Sequence, residues 1–399
     1  MKYLIILGDG MADYKRPELG GLTPLQYAKT PNMDRLAAAG TVGLVRTVPD
    51  GLPPGSDVAN LSVMGYDPAV YYTGRAPLEA VSMGVKLNED DIAFRCNLVT
   101  LSGDGEYENK TMVDYSAGEI KSDRAAVLIN DLGRYLSREG MRFYPGVSYR
   151  HLMVWSGGPT GTALTPPHDI SGQKIAGFLP KGSGGDDLLA VMKESHTFLG
   201  THPLNLSGET GRPANSVWFW GQGKSPALKK FRDRYNLSGA VISAVDLIKG
   251  IGLCAGMAVV EVEGATGNIH TNFAGKAAAA LEAFRRGADM VYLHVEAPDE
   301  AGHQGNTGVK VRAIEEIDGK VLGPLLTQMG QFGEFRIMLL PDHPTPISVM
   351  THTAEPVPFV IYDSRSPRDG AGVTYCEEAA ARGPYVKQGH ELMSLFLKG

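Results

Sequence analysis

The sequence has no excess of positive charge. Among its 399 residues, 38 are Lys or Arg and 44 are Asp or Glu, which gives a formal net charge of −6. A protein that binds nucleic acid needs a basic face, so this charge argues against that class. No apolar run approaches the roughly 20 residues of a membrane-spanning helix. The apolar run within MKYLIILGDG at the N-terminus is too short for a signal peptide and instead favours a first strand.

Cysteine is scarce, and a complete nucleotide-binding loop is missing. The three cysteines, Cys96, Cys254 and Cys376, are odd in number and widely spaced, which predicts reduced thiols in a cytoplasmic protein. The stretch GQGKS at 221–225 ends like a P-loop, but the first glycine of that motif would fall at Trp218. The chain is therefore not expected to bind ATP through a P-loop.

Glycine is abundant, and the outer parts of the chain alternate between two kinds of segment. The 50 glycines exceed the usual share of about 7% and predict many tight turns. Tyr3–Leu7 is a continuous apolar run, and a helix is predicted from Pro31 to Gly40 with Thr30 as its N-cap. Further strands are predicted at 259–262, 290–295, 336–340 and 358–362, and further helices at 276–286 and 311–329. This alternation predicts an α/β fold, a mostly parallel sheet with helices on both faces.

The middle of the chain has a different composition. It carries all three tryptophans, more prolines and several strand-like pieces, at 98–101, 152–155 and 217–220. We interpret 94–235 as a smaller α+β domain inserted into a domain formed by 1–93 and 236–399. A single large irregular domain is the alternative.

Three acidic residues lie just past the ends of predicted strands: Asp9, Asp299 and Asp342. The carboxyl ends of the strands in an open parallel sheet form the ligand crevice, so side chains there are expected to converge. Any one of these aspartates is equally typical of a turn.

Histidines accompany these aspartates. His303 lies four residues after Asp299, His343 follows Asp342 directly, and His352 lies nine residues further on. Carboxylates and imidazoles bind Zn²⁺ and Mn²⁺. Three of each exceed the need of one four-coordinate ion and suit two ions that share a site, as in enzymes of in-line phosphoryl displacement. The alternative is a set of capping carboxylates and surface histidines.

A candidate nucleophile occurs in PPGSD at 53–57, where a glycine-containing loop leads into a predicted helix. Helix N-termini favour phosphate, and a metal ion would lower the pKa of the Ser56 hydroxyl. An ordinary N-cap role for Ser56 fits the spacing equally well.

Six motifs in order give the chain a resemblance to a known family. They are GDG at 8–10, PGSDVANLSVMGYDP at 54–68, YTGRAPLEA at 72–80, EAPDEAGHQG at 296–305, PDH at 341–343 and THTAEPVPF at 351–359. Together they resemble the cofactor-independent phosphoglycerate mutases, and more narrowly the short archaeal-type branch, whose fold resembles the alkaline phosphatase superfamily. That superfamily commonly has glycine after the Asp-His pair, where this chain has Pro344.

The resemblance implies an isomerase of glycolysis and gluconeogenesis that interconverts 3-phosphoglycerate and 2-phosphoglycerate without 2,3-bisphosphoglycerate. Ser56 would become phosphoserine, and Lys249 would match the family's lysine near the transferred phosphate. Two divalent ions are implied, Mn²⁺ first, with Mg²⁺, Zn²⁺ or Co²⁺ as alternatives. One ion would be held by Asp299, His303 and His352, the other by Asp9, Asp342, His343 and Ser56.

The resemblance also implies that the inserted domain binds the glycerate part of the substrate. Polar candidates near its strand ends are Arg150, His151, His168, Asp169 and Lys224, each of which is also compatible with an ordinary surface or core role. Nothing in the sequence indicates an oligomeric state.

Two rival functions remain open. GDGMADY at 8–14 and SDVANLS at 56–62 resemble a bacterial subgroup for which a homoserine kinase role has been proposed. Such an enzyme would keep the metal site and phosphorylate a small alcohol. A metal-binding or regulatory protein without catalysis is the third hypothesis, and the intact ligand set together with Ser56 argues against it.

Overall fold

The computed structural model of the protein describes residues 1–208, 211–370 and 372–398. The chain forms two compact units, one made of 1–72 and 227–399 and the other of 73–226. No helix within the described ranges is long and apolar enough to cross a lipid bilayer.

The helices and strands follow one another closely along the chain. Up to residue 72 they are β1 (Lys2–Gly8), α1 (Pro24–Tyr27), α2 (Pro31–Ala39), β2 (Thr41–Val45), α3 (Ser56–Val63) and α4 (Pro68–Tyr71). The middle of the chain contains α5 (Ala76–Ser82), β3 (Asp91–Ser102), β4 (Thr111–Asp114), α6 (Ser122–Leu136), β5 (Met141–Tyr144), β6 (Arg150–Ser156), β7 (Thr162–Ala163), β8 (Lys181–Gly182), α7 (Gly185–Gly200), α8 (Pro203–Leu206) and β9 (Ser216–Lys224).

The last part of the chain returns to the alternation seen at its start. It contains α9 (Phe231–Tyr235), β10 (Gly239–Ile242), α10 (Asp246–Cys254), β11 (Ala258–Val259), α11 (Phe273–Arg285), β12 (Met290–Val295), α12 (Ala297–His303), α13 (Thr307–Glu316), a π-helical turn (Ile317–Leu322), α14 (Gly323–Gln328), β13 (Phe335–Leu340), β14 (Val357–Asp363), α15 (Glu377–Ala380), β15 (Tyr385–Val386) and α16 (Leu392–Lys398).

The first unit is built on one large sheet with strand order β11-β10-β12-β1-β13-β14-β2-β15. All neighbouring pairs are parallel except those that β14 makes with β13 and β2. Leu4–Leu7 of the central strand are fully buried, as expected where helices cover both faces of a parallel sheet. The predicted α/β fold with a mostly parallel sheet is confirmed.

The second unit has an antiparallel sheet centred on β3, which pairs with β4, β6 and β9, while β5 pairs with β6. Its core joins apolar residues of these strands to α6 and α7. The unit begins at residue 73, earlier than the predicted 94, because α5 packs on β3 and β9. That this segment is an inserted substrate-binding domain stays a prediction.

Two local predictions can be compared with the structure. Thr30 occupies the N-cap position of α2, but its side chain makes no capping hydrogen bond. Asp318 from the π-helical turn caps the helix instead, because its carboxylate accepts from the backbone N–H groups of Asn32 (3.3 Å) and Met33 (2.7 Å). The three cysteines are free and buried.

Candidate active site

Three adjacent parallel strands, β12, β1 and β13, supply the loops of the candidate site. Asp9 follows β1 and Asp342 follows β13, while Asp299 lies on α12 just after β12. The carboxyl ends of these strands share one sheet edge, so the three carboxylates meet there. Each is less than a tenth exposed.

The first ligand set consists of Asp9, Asp342 and His343, whose candidate ligand atoms all lie within 4.8 Å of one another. Asn60 Nδ2 donates to Asp342 Oδ2 (2.8 Å), and the backbone N–H of Gly10 donates to Asp342 Oδ1 (3.2 Å). These bonds fix the plane of the Asp342 carboxylate.

The second ligand set consists of Asp299, His303 and His352. His303 Nε2 lies 3.3 Å from Asp299 Oδ2 and 3.0 Å from His352 Nε2, and Asp299 and His352 also form a compact group with His343. His303 Nδ1 faces the Met350 carbonyl oxygen at 3.0 Å, which orients the ring.

Ser56 is the first residue of α3, and Gly55 occupies the N-cap position. The N-cap interpretation of Ser56 is therefore wrong. Its Oγ lies 3.0 Å from His343 Nε2, so the hydroxyl faces the first ligand set. Asn60 Nδ2, which holds Asp342, also donates to the Ser56 carbonyl oxygen (2.8 Å), so one amide joins the start of the helix to that set.

Negative charge is concentrated around Asp9. Burial raises the pKa of the Asp9 carboxyl well above its usual value, and Asp342, Asp299 and Glu296 raise it further. Asp9 Oδ1 is buried and has no hydrogen-bond partner. A buried carboxylate without compensation is costly, so this oxygen fits a bound cation.

The imidazoles of His303 and His343 have pKa values shifted in opposite directions. Burial alone would lower the pKa of His303, but the hydrogen bond and charge of Asp299, with smaller contributions from Met350 and Glu300, outweigh it and raise that pKa to about 9. Burial lowers the pKa of His343 to about 4, which leaves a neutral ring beside Ser56. Although burial favours the neutral acid, His303 and His352 hold the pKa of Asp299 well below its usual range.

Several polar residues of this region were not found by sequence analysis. His294 Nε2 contacts Asp9 Oδ2 (3.0 Å), and Tyr292 donates to Asn60 Oδ1 (2.6 Å). Glu296 forms a further compact acidic group with Asp9 and Asp299. The only sequence signal for His294 is a histidine inside the apolar strand MVYLHV, which is equally typical of a core histidine.

Lys249 lies on α10, where its Nζ donates to both carboxylate oxygens of Glu261 at 2.8 Å. Its side chain is 14% exposed. The catalytic role that the family resemblance implies for this lysine stays a prediction.

The second unit contains a cationic cluster, Arg75, Arg95 and Arg150, around Glu79. Arg75 Nε and Arg95 Nε lie 2.9 and 3.1 Å from the two oxygens of the Glu79 carboxylate. Arg95 lies over the Trp220 ring at 4.3 Å, and the charge of Arg150 acts on both Glu79 and Arg95. Three guanidinium groups are thus gathered near one carboxylate.

Of the other predicted substrate residues, only His168 is shown beside this cluster. The His168 ring lies 5.2 Å from the Trp220 ring, and His168 Nε2 is 3.6 Å from Asp169 Oδ1. His151 is buried on β6, where alternation along the strand directs it away from the face of Arg150. Lys224 is exposed at the end of β9.

A serine hydroxyl beside converging carboxylates and imidazoles, above a mostly parallel sheet, is the type of site that two-metal phosphoryl-transfer enzymes use. A family model described as 2,3-bisphosphoglycerate-independent phosphoglycerate mutase matches residues 37–205. The chain is 53% identical over its whole length to a probable enzyme of that name from Geobacter sulfurreducens, which it covers completely. The chain belongs to the 2,3-bisphosphoglycerate-independent phosphoglycerate mutase family.

A second relative and a solved structure support the same family assignment. An enzyme of that name from Methanosarcina acetivorans is 53% identical over 96% of this chain and 95% of its own length. The structure of the cofactor-independent phosphoglycerate mutase from Thermoplasma acidophilum is similar with a TM-score of 0.63 at 26% identity, over 100% of this chain and 99% of that one. The predicted family and mutase function are confirmed, and the homoserine kinase alternative is not favoured.

Proposed function

We propose that the protein interconverts 3-phosphoglycerate and 2-phosphoglycerate through a phosphoserine on Ser56. The observation that carries this proposal is the position of Ser56 Oγ, 3.0 Å from His343 Nε2 and at the start of a helix. The start of a helix favours bound phosphate, because its first N–H groups have no acceptor within the helix. The small phosphorylated substrate follows from family membership.

The residues present fit two divalent ions. Asp9 Oδ1 is buried without a partner, and two imidazole nitrogens, His303 Nε2 and His352 Nε2, face each other at 3.0 Å. The first ligand set with Ser56 would hold one ion, and the second ligand set would hold the other. Mixed oxygen and nitrogen donors suit Mn²⁺, with Zn²⁺, Co²⁺ and Mg²⁺ as alternatives. When bound, the ions would supply positive charge that lowers the pKa of the Ser56 hydroxyl and neutralises the phosphoryl oxygens.

The reaction then consists of two displacements. Ser56 Oγ attacks the phosphorus, the bond from phosphorus to the C3 oxygen of the substrate breaks, and the proton lost by Ser56 is balanced by the proton that this oxygen gains. The C2 hydroxyl of the same glycerate attacks phosphoserine, loses its proton, and restores the Ser56 hydroxyl. No second phosphorylated cofactor is consumed.

Ser56→Ala should lower the rate of isomerisation by roughly four orders of magnitude or more, because the covalent intermediate can no longer form. Phosphorus NMR of manganese-loaded protein with 3-phosphoglycerate measures this directly. Ser366→Ala, at an exposed serine of the same unit, is the matched control and should keep wild-type activity. Residual mutase activity near wild type in Ser56→Ala would refute the nucleophile.

We also propose that the cationic cluster of the second unit binds the substrate carboxylate. Arginine binds carboxylates through paired donors, and three guanidinium groups lie near one another around Glu79. Arg95 is 4% exposed, and its guanidinium group stacks on the Trp220 ring. This packing fixes the orientation of the guanidinium group. His168, beside Trp220, is the further candidate in this cluster.

Arg150→Met should raise the KM for 3-phosphoglycerate roughly tenfold to a hundredfold with a smaller change in kcat, because a charged hydrogen bond contributes about 1.5–3 kcal/mol. Arg150 is exposed, so the variant is expected to fold. Arg142→Met, at an exposed arginine on β5 of the same sheet, is the control. An unchanged KM in Arg150→Met would remove this residue from the substrate site.

A further inference from the structure

Thr345, two residues after His343, lies between the two ligand sets. Its side chain is fully buried. Thr345 Oγ1 forms a hydrogen bond with Asp299 Oδ1 of the second set and lies 3.3 Å from His343 Nδ1 of the first. One hydroxyl therefore contacts both sets.

The chemistry of the three side chains determines which of them donates each hydrogen bond. An ionised carboxylate only accepts, so the Thr345 hydroxyl must donate its single proton to Asp299 Oδ1. Its lone pairs then remain to accept a hydrogen bond from His343 Nδ1–H. A neutral imidazole carries one proton, so Nε2 of His343 keeps its lone pair. Nε2 is the nitrogen that faces Ser56 Oγ at 3.0 Å, Asp342 Oδ2 at 3.4 Å and Asp9 Oδ1 at 3.6 Å.

Thr345 is held in place through its backbone. Its carbonyl oxygen accepts from Lys310 Nζ (2.8 Å), which forms an ion pair with Asp13 (2.7 Å). Its N–H donates to the Ala12 carbonyl oxygen (3.3 Å). A side-chain carbon at Gly302 would lie 2.5 Å from the same Thr345 oxygen, so α12 reaches this loop only because residue 302 is glycine.

We propose that Thr345 is a positioning residue that fixes His343 as the Nδ1–H tautomer and orients Asp299 through a single hydroxyl. The side chains of both ligand sets are thereby oriented for metal binding before any ion binds. The inference rests on the proposed metal-dependent function for its consequence, but the tautomer is a property of the chain itself. Mutation of a residue that hydrogen-bonds to a metal ligand typically lowers metal affinity tenfold to a hundredfold.

The test compares Thr345→Val, which keeps the shape and removes the hydroxyl, with Thr345→Ser, which keeps the hydroxyl. Titration calorimetry with Mn²⁺ alone should show a tenfold to hundredfold loss of affinity in Thr345→Val and affinity within about threefold of wild type in Thr345→Ser. Thr327→Val, at an exposed threonine of α14, is the control and should bind as wild type.

Nitrogen NMR of the metal-free protein supplies a second readout. The ring signals of His343, assigned by their loss in His343→Gln, should show a protonated Nδ1 and a bare Nε2 in wild type. A protonated Nε2 in wild type would overturn the proposal whether or not Thr345→Val folds. Wild-type Mn²⁺ affinity in Thr345→Val would overturn it while leaving the metal centre intact. Absence of Mn²⁺ binding by wild type would instead refute the proposed metal centre.

Discussion

At the scale of single residues, Asp9 has two unlike oxygens. Oδ2 is held by His294 at 3.0 Å, whereas Oδ1 is buried without a hydrogen-bond partner. Three other carboxylates, those of Asp342, Asp299 and Glu296, raise its pKa in addition to burial. The ionised form of Asp9 is therefore unfavourable in the metal-free protein, at a position where a cation would make it favourable.

Asp9→Asn should stabilise the metal-free protein, because the amide keeps a similar shape without the crowded charge. The folded pKa of Asp9 is raised, so its ionised form costs stability as pH rises above the unfolded value of about 3.9. We therefore expect the melting temperature of Asp9→Asn to exceed that of wild type by more at pH 8 than at pH 5, in EDTA. The difference should correspond to roughly 1–3 kcal/mol.

The control for this measurement is Asp233→Asn, at an exposed aspartate of α9. It should melt like wild type at both pH values. A metal-free Asp9→Asn that melts below wild type at pH 8 would contradict the interpretation of Asp9 as a strained carboxylate.

Residues of the candidate site that follow strands could be predicted from the sequence, whereas those inside apolar strands and helices could not. Asp9, Asp299 and Asp342 were predictable because parallel strands bring whatever follows them to one edge. His294 and Asn60 were not, because their partners lie 285 and 282 residues away in the chain. A histidine in an apolar strand and an asparagine in an apolar helix carry no local sign of such contacts.

At the scale of elements, α13 joins the loops that follow β1 and β13. Lys310 on this helix pairs with Asp13 while also reaching the backbone of the loop after β13, and both charged side chains are fully buried. Asp13 accepts in turn from the backbone N–H of Ile347 (3.1 Å). Two loops that carry candidate ligands thus depend on one ion pair.

Lys310→Met should destabilise the protein by roughly 3–5 kcal/mol, because Asp13 would remain as a buried charge without its partner. Denaturant unfolding measures this loss. The double variant Lys310→Met with Asp13→Leu should recover most of it, since it removes both charges. Lys320→Met, at a lysine that is 57% exposed, should cost less than about 1 kcal/mol. Equal losses in the single and double variants would contradict this account.

The helical region 307–328 shows where local patterns stop being informative. A single helix over 311–329 was predicted, but the structure has α13, a π-helical turn at Ile317–Leu322, and α14. The wider turn carries Asp318, whose carboxylate caps α2 through the N–H groups of Asn32 and Met33. Strands β1, β12, β13 and β14 were predictable from apolar runs alone, whereas this turn serves a helix about 286 residues distant.

At the scale of the whole molecule, the compact groups of candidate metal ligands found among the described residues all belong to the first unit. The cationic cluster belongs to the second. Ion binding should therefore stabilise the first unit directly.

Mn²⁺ at 100 times its dissociation constant should add about 2.7 kcal/mol to the unfolding free energy for one site. Scanning calorimetry with Mn²⁺ and with EDTA measures the shift in melting temperature. Asp299→Asn, which removes the central carboxylate of the second ligand set, should show a smaller shift than wild type. A melting temperature that does not respond to Mn²⁺ in wild type would argue against resident ions.

The segment 73–226 interrupts the first unit once, as one contiguous stretch. Ser56 and both ligand sets are encoded entirely on either side of it. Recombination at two points of a gene would therefore exchange the whole segment and leave every residue of the proposed chemistry untouched. We expect chimeras built at residues 72 and 227 to retain a phosphorylatable serine while changing which alcohol receives the phosphate, so substrate choice and reaction chemistry can evolve separately.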